Sequence, residues 1–298
     1  MNYIGEFASL FTSVCFTGTS VFFTLSSQKV GSAVVNRLRV AVALVFLLAW
    51  NWVLFGQPLP LDADPRRWFW FALSGAVGYA IGDAFLFQAF VCIGAQKGML
   101  MMSLAPLLSA ILAWIFFGEV LTGGQIMGIL VTLLGIAWVI LRRNPNPGPS
   151  ACKPLQGVLF GLGAAAGQAV GFVLSKQGLE GGFSPVAGNA IRMLAAVAIL
   201  WGPSLVRGEA GQAVRTVRAH PRVFGLIILG AFLGPVLGVS SSLFALHYTQ
   251  VGVASTLTAL PPVFLLPVGW LVFKDEVDWQ SIAGTLVAIG GVAMLFLT

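Results

Sequence analysis

"MSLAPLLSAILAWIFFGEVL" occupies residues 102–121, and "LTALPPVFLLPVGWLVFKDEV" occupies residues 257–277. The two stretches read almost alike. Pro106 answers to Pro262, Trp114 to Trp270, and Glu119 to Glu276 after a one-residue slip. The likeness extends outward. "GTSVFFTLSSQ" (18–28) pairs with "GQAVGFVLSKQ" (167–177), and "NRLR" (36–39) pairs with "NAIR" (189–192). Asn36 thereby answers to Asn189 and Arg39 to Arg192. Gly78 and Gly82 answer to Gly234 and Gly238, and Gly128 and Gly135 to Gly284 and Gly291. The chain reads as a duplication: residues 1–144 form one repeat, 145–154 a linker and 155–298 the other.

Composition sets the solvent. The 298 residues are 58% hydrophobic and only 9% charged, with a mean hydropathy of +0.93. A soluble domain carries roughly 25% charged residues. So few charges cannot cover a water-facing surface, so the chain is read as an all-α integral membrane protein. A helix needs roughly 20 mostly apolar residues to cross the hydrocarbon core. Ten stretches qualify, at approximately 4–25, 33–55, 68–91, 98–117, 123–141, 155–175, 186–206, 223–246, 252–273 and 279–297. Barrel strands would be about 10 residues long and would alternate. The connections are short, and proline, glycine and charge end the helices there. "MNYIGEFASLF" has no basic start, so a cleaved leader is not expected. Cys15, Cys92 and Cys152 lack metal-ligand spacing and read as small apolar packing residues. The net charge of +6 is explained by topology rather than nucleic acid, because the basic residues lie mostly between apolar spans.

Each half holds five spans, and five is odd. A second copy that begins where the first ends must cross the bilayer in the opposite sense. The ten spans are therefore two five-helix inverted-topology repeats. That architecture places a binding site near the midplane where the halves meet. Two similar halves of opposite sense also have two nearly equivalent arrangements, one accessible from each side. That suits a carrier and not a scaffold.

These residues resemble the drug/metabolite transporter superfamily, in particular its ten-helix EamA-type exporters. The likeness rests on the duplicated proline, tryptophan and glutamate run closing spans four and nine, the glycines of spans five and ten, and Arg39 and Arg192. The resemblance covers almost the whole chain and includes the YddG-like branch of aromatic amino-acid exporters. It implies a central cavity lined by spans 1, 3, 4, 6, 8 and 9, with spans 5 and 10 packed behind or against another subunit. It further implies a multi-pass protein of the inner or plasma membrane, monomeric or homodimeric, that carries a small-molecule substrate and uses no cofactor. The expected activity is secondary export of amino acids, aromatic or hydrophobic ones favoured, or of related metabolites. The alternative is efflux of drugs and cationic compounds. Both termini would be cytoplasmic by family precedent. Of the 16 Lys and Arg, however, only Arg66, Arg67, Lys176 and Arg192 fall on the side of the termini, which leaves 12 opposite. By the positive-inside rule the termini lie outside. The two indications oppose each other, and partly intramembrane Arg39 and Arg192 weigh little in the count.

Ionisable groups within spans are functional candidates by default. Asp83, in "GYAIGDAFLFQ", is the only acid well inside a span. It reads either as a counter-charge or proton carrier, or as a packing hydrogen-bond acceptor. Tyr79 lies one turn before it on the same face. Gln168, Ser241, Ser242 and His247 complete the substrate or coupling candidates on spans six and eight. Pro106 and Pro262 interrupt spans four and nine and read as hinge or cavity-shaping residues, because proline removes a backbone hydrogen bond. Arg39 and Arg192 read as structural charges that snorkel or cap carbonyls. Glu119 and Glu276 read as fixing the turns at span ends, at the positive end of the next helix. Gly163, Gly167 and Gly171, with Gly78 and Gly82, read as seams of close helix contact. HExxH, GxSxG and the P-loop are absent, and Ala80 breaks the GxGD pattern of intramembrane aspartyl proteases. An enzyme is therefore not expected, no metal site is expected, and any energy must come from a gradient.

Overall fold

In the computed structural model, residues 3–86, 101–142, 154–206, 219–261 and 279–297 are described, with isolated positions between them. The first half supplies α1 (Ile4–Val30), α2 (Ser32–Phe55), α3 (Pro65–Leu86), α4 (Ala105–Phe117) and α5 (Gly123–Arg142). The second supplies α6 (Pro154–Leu179), α7 (Pro185–Val206), α8 (Pro221–Ala245), α9 (Val251–Thr258) and α10 (Trp279–Leu297). All regular structure among the described residues is helical. Six of these helices are long and apolar enough to cross a membrane alone, and shorter apolar helices lie at Ala105–Phe117, Gly123–Trp138 and Ile282–Leu295.

Local chemistry sets the boundaries. Gly56 ends α2 in the left-handed region at φ 72°, and its N–H donates to the Trp52 carbonyl. Asp64 caps α3, its side chain accepting from the Arg66 N–H, with Pro65 in the first turn where no N–H is needed. Gly118 stops α4 at φ 64°. Thr122 and Gln125 cap α5 reciprocally: the Thr122 N–H donates to Gln125 Oε1 at 2.9 Å, and the Gln125 N–H to Thr122 Oγ1 at 3.2 Å.

The repeats share their irregularities as well as their helices. α3 widens into a π-helix over Ala76–Gly82, and α8 does so over the matching Phe232–Gly238. The Asp83 N–H reaches the Gly78 carbonyl, and the Val239 N–H reaches the Gly234 carbonyl. A turn breaks the chain at Ser103–Leu104, and its counterpart breaks it at Ala259–Leu260. Pro106 therefore does not interrupt a continuous helix. It stands in the first turn of α4, just after the break. Proline is tolerated there and disfavours helical geometry in the residue before it. Pro262 lies outside the described residues, but Pro261 beside it stands just after the second break. Pro261 has no N–H to offer the Leu257 carbonyl, and the Ser13 hydroxyl of α1 donates to that carbonyl instead.

The halves interleave rather than sit side by side. α1 packs on α8 and α9, and α6 correspondingly packs on α3 and α4. α2 packs on α7, and α5 packs extensively on α10. Each contact has its mate under a two-fold exchange of repeats, as inverted topology requires. Glycine makes the closest approaches. A Cβ on Gly82 would lie 3.6 Å from the Gly167 carbonyl carbon, and one on Gly171 would lie 3.4 Å from Gly78 Cα. The stripes read from the sequence thus form the α3–α6 seam. In the α5–α10 pair, a Cβ on Gly135 would lie 2.4 Å from the Ala288 nitrogen, and one on Gly128 3.0 Å from the Gly291 carbonyl oxygen. The seven-residue stripes are used inside the chain. Cys15 is a free, buried thiol. Cys92 is disulfide-bonded, which corrects the expectation of three packing thiols: spacing excludes a local metal pair but is blind to a distant sulfur.

Gly135→Ala forces backbone apart, whereas a Cβ at Gly123 meets nothing within 4 Å. Overpacking costs roughly 1–3 kcal/mol. In detergent melts, Gly135→Ala is expected to lower the melting temperature and Gly123→Ala to leave it unchanged.

Candidate functional site

A buried charged cluster forms where α2, α3 and α7 meet. Arg39, from α2, pairs with Asp83, from α3, and both side chains are largely shielded, at 12% and 18% exposure. Arg39 Nε also donates to Asn36 Oδ1 at 2.8 Å, and its guanidinium lies 5.7 Å from the Phe23 ring centre on α1. The second repeat contributes Arg192, from α7. Its guanidinium carbon lies over the Tyr79 ring, 4.9 Å from the ring centre. Arg192 reaches that ring because α7 runs against Gly75, where a Cβ would lie 2.2 Å from the Arg192 carbonyl oxygen. A cation over an aromatic face gains electrostatic attraction, more so when desolvated.

Further hydrogen bonds fasten these helices, one set within the second repeat and another between the repeats. Asn189 Nδ2 donates to the Pro235 carbonyl at 2.8 Å and to Ser240 Oγ at 3.0 Å, so α7 is tied to the π-segment of α8. Ser74 Oγ donates to the Gly171 carbonyl at 2.7 Å, binding α3 to α6. Thr12 and Thr19 of α1 donate to the Gly238 and Gly230 carbonyls at 3.0 and 2.8 Å. Hydroxyls between closely packed helices are the expected fastening where no water competes.

The predicted residues divide. Tyr79 and Asp83 stand at the cluster, joined by Arg39 and Arg192, which the sequence suggested were structural charges. Gln168 is half-buried on α6, next to Gly167 of the seam. Ser241 is half-buried, while Ser242 is buried and turned back on its own helix, donating to the Val239 carbonyl at 2.8 Å. Their neighbour Ser240 is the serine that reaches another helix, accepting from Asn189 of α7. His247 is exposed beyond the end of α8, its Nε2 3.1 Å from the Phe183 carbonyl. Glu276 lies outside the described residues. Glu119 does not address the next helix, α5. It pairs with Lys176 of α6 and accepts the Val251 N–H at the start of α9 at 3.0 Å. A carboxylate is favoured at that positive helix end. Arg192 over Tyr79 and Asn189 on the π-segment were not readable, because both contacts depend on which helices interleave.

Away from the cluster, a groove of about 340 Å³ between α4 and α5 is lined by Leu107, Ile111, Trp114, Ile126 and Ile129 among others. Trp114 and Ile126 are exposed. The groove faces outward and shares no residue with the charged cluster.

Two interleaved five-helix repeats around a buried charged junction define a membrane transporter of small solutes. The sequence matches the family described as "EamA-like transporter family" over residues 3–141 and 155–297, and the chain belongs to it. A Synechocystis protein named "Uncharacterized transporter sll0355" is 25% identical over 281 residues, which cover 86% of this chain and 79% of the relative. A solved structure described as "Crystal structure of protein" superposes with a TM-score of 0.73 at 16% identity, over 100% of this chain and 98% of its own, and shares the fold.

Removing one partner of a buried ion pair typically destabilises by about 3–5 kcal/mol, whereas replacing both with apolar residues is often neutral. Asp83→Asn is therefore expected to lower the melting temperature strongly. The double variant Arg39→Met with Asp83→Leu is expected to recover most of that loss in the same melt.

Proposed function

We propose that this transporter exports amino acids, aromatic and hydrophobic ones first, or related small metabolites, by alternating access between its two repeats. The observation that carries the reading is the charged junction itself. Arg39, Asp83, Tyr79 and Arg192 come from both repeats and lie beside the π-segment of α3. Intramembrane charge is retained where it serves a pathway, and π-segments favour functional positions. The helix breaks before Pro106 and Pro261 supply matched bending points in the two halves. The repeats 1–144 and 155–298 are the moving units, in an inner or plasma membrane, as a monomer or homodimer. No nucleotide motif is present, so a gradient of protons, ions or the substrate itself drives transport. The amino-acid reading is preferred over efflux of cations because Asp83 is already engaged by Arg39.

Purified protein in proteoliposomes is expected to take up labelled tryptophan or phenylalanine when unlabelled substrate is trapped inside, with no other energy source. Asp83→Asn is expected to reduce that counterflow about tenfold or more, as befits loss of a charge-assisted contact. Absence of counterflow with every amino acid in a panel that includes threonine would overturn the substrate assignment.

A further inference from the structure

The repeats treat their matching arginines differently. Arg39 and Arg192 occupy equivalent positions in "NRLR" and "NAIR". In register with Gly82 and Gly238, Asp83 of the first repeat answers to Val239 of the second. Arg39 thus has its own repeat's carboxylate, and Arg192 has none. Arg192 is only 7% exposed, and its Nε is buried without a hydrogen-bond partner. The hydroxyl of Tyr79, a residue 9% exposed, is buried and equally unpartnered. Arg192 lies over the Tyr79 ring, and Asp83, the carboxylate of the cluster, is paired with Arg39. Two guanidinium groups against one carboxylate leave the cluster one positive charge in excess. A buried charge without a partner is strongly unfavourable. The phenol is likewise confined to one repeat, because Tyr79 answers to Pro235. Both departures from two-fold symmetry fall within the charged cluster.

We propose that Arg192 and the Tyr79 hydroxyl form the anion-receiving subsite of this transporter, and that the carried solute bears a carboxylate. The inference rests on the transport reading above and names the chemistry its substrate must have. Contact with the Tyr79 ring holds the guanidinium in place, and the buried, unpartnered Nε is left to donate. A guanidinium edge presents parallel N–H groups with the spacing of two carboxylate oxygens. The Tyr79 hydroxyl supplies a further donor. The bound carboxylate gives the Arg192 guanidinium the counter-charge that its own repeat does not supply. The cluster's excess positive charge repels cationic solutes.

Counterflow with three probes that share one side chain tests this. Phenylalanine carries carboxylate and amine, 3-phenylpropanoate the carboxylate alone, and phenylalaninamide the amine alone. Phenylalanine and 3-phenylpropanoate are expected to exchange and phenylalaninamide to fail, which separates a general carboxylate requirement from recognition of the amine. Arg192→Lys keeps the charge but loses the two-pronged edge, and is expected to lower exchange about tenfold or more. Tyr79→Phe removes only the hydroxyl, and is expected to lower exchange several-fold at an unchanged melting temperature. Should Arg192→Lys fail to fold, the probe comparison on unaltered protein and Tyr79→Phe still decide. Equal exchange of the amide and the acids, or Tyr79→Phe exchanging at the full rate, overturns the anion subsite and leaves transport standing. Exchange of the amide alone also overturns the subsite and points to cation transport. Exchange of no probe and of no amino acid, with folded protein in the vesicles, overturns the amino-acid reading and the subsite with it.

Discussion

The backbone of α7 touches the backbone of α3 at Gly75, and the charged junction depends on that contact. A methyl group there would overlap the Arg192 carbonyl. With hydrogen in its place, α7 approaches closely enough for the Arg192 side chain to cross into the first repeat and lie over Tyr79. The approach also draws the remainder of the α3 face toward α6, where Gly78 and Gly82 meet Gly171 and Gly167. Small residues let helices in lipid gain dispersion contact and interhelical hydrogen bonds where no hydrophobic force between helices exists. The site is thus a by-product of backbone proximity, and its polar groups are buried because glycine has removed the space that water or lipid would fill.

The second constraint is that a backbone group exposed to hydrocarbon must find a partner within the protein. The irregular turns of these helices are met in that way. The widened turns of α3 and α8 close with five-residue N–H contacts to Gly78 and Gly234. The Leu257 carbonyl, left over by Pro261, receives the Ser13 hydroxyl. The Pro235 carbonyl receives Asn189, and that of Gly238 receives Thr12. These side-chain partners come from other helices, so each such irregularity is also a joint between elements. Regular helix would have needed none of them.

Much of this was legible in the sequence. Duplication, an odd number of spans per half and the apolar composition give the inverted, all-helical architecture, because each is a property of the whole chain. The glycine stripes were correctly read as packing seams, since four-residue spacing marks one helix face. The single intramembrane acid, Asp83, stood out as a costly residue in lipid. Long-range choices escaped. Arg192 read as a snorkelling charge because its tyrosine lies in the other repeat. Ser242 and His247 read as cavity groups because spacing along α8 does not reveal which face the π-segment turns inward; an inserted residue rotates everything beyond it by about 100°. Pro106 read as a break within a helix, although the break precedes it and the proline opens α4.

Glu119 is a single carboxylate with two obligations. One oxygen holds Lys176 of α6, and the other holds the first N–H of α9. Around it, Gln250 Nε2 donates to the Val120 carbonyl at 3.2 Å, and the Lys176 ammonium sits 5.8 Å from the Phe117 ring. Because both bonds end on one side chain, α4 cannot leave α9 and α6 one after the other at little expense. Loss of either contact leaves the carboxylate with half of its partners. That end of the bundle is therefore a three-way joint, in which one carboxylate couples α4 to α6 and α9 at once.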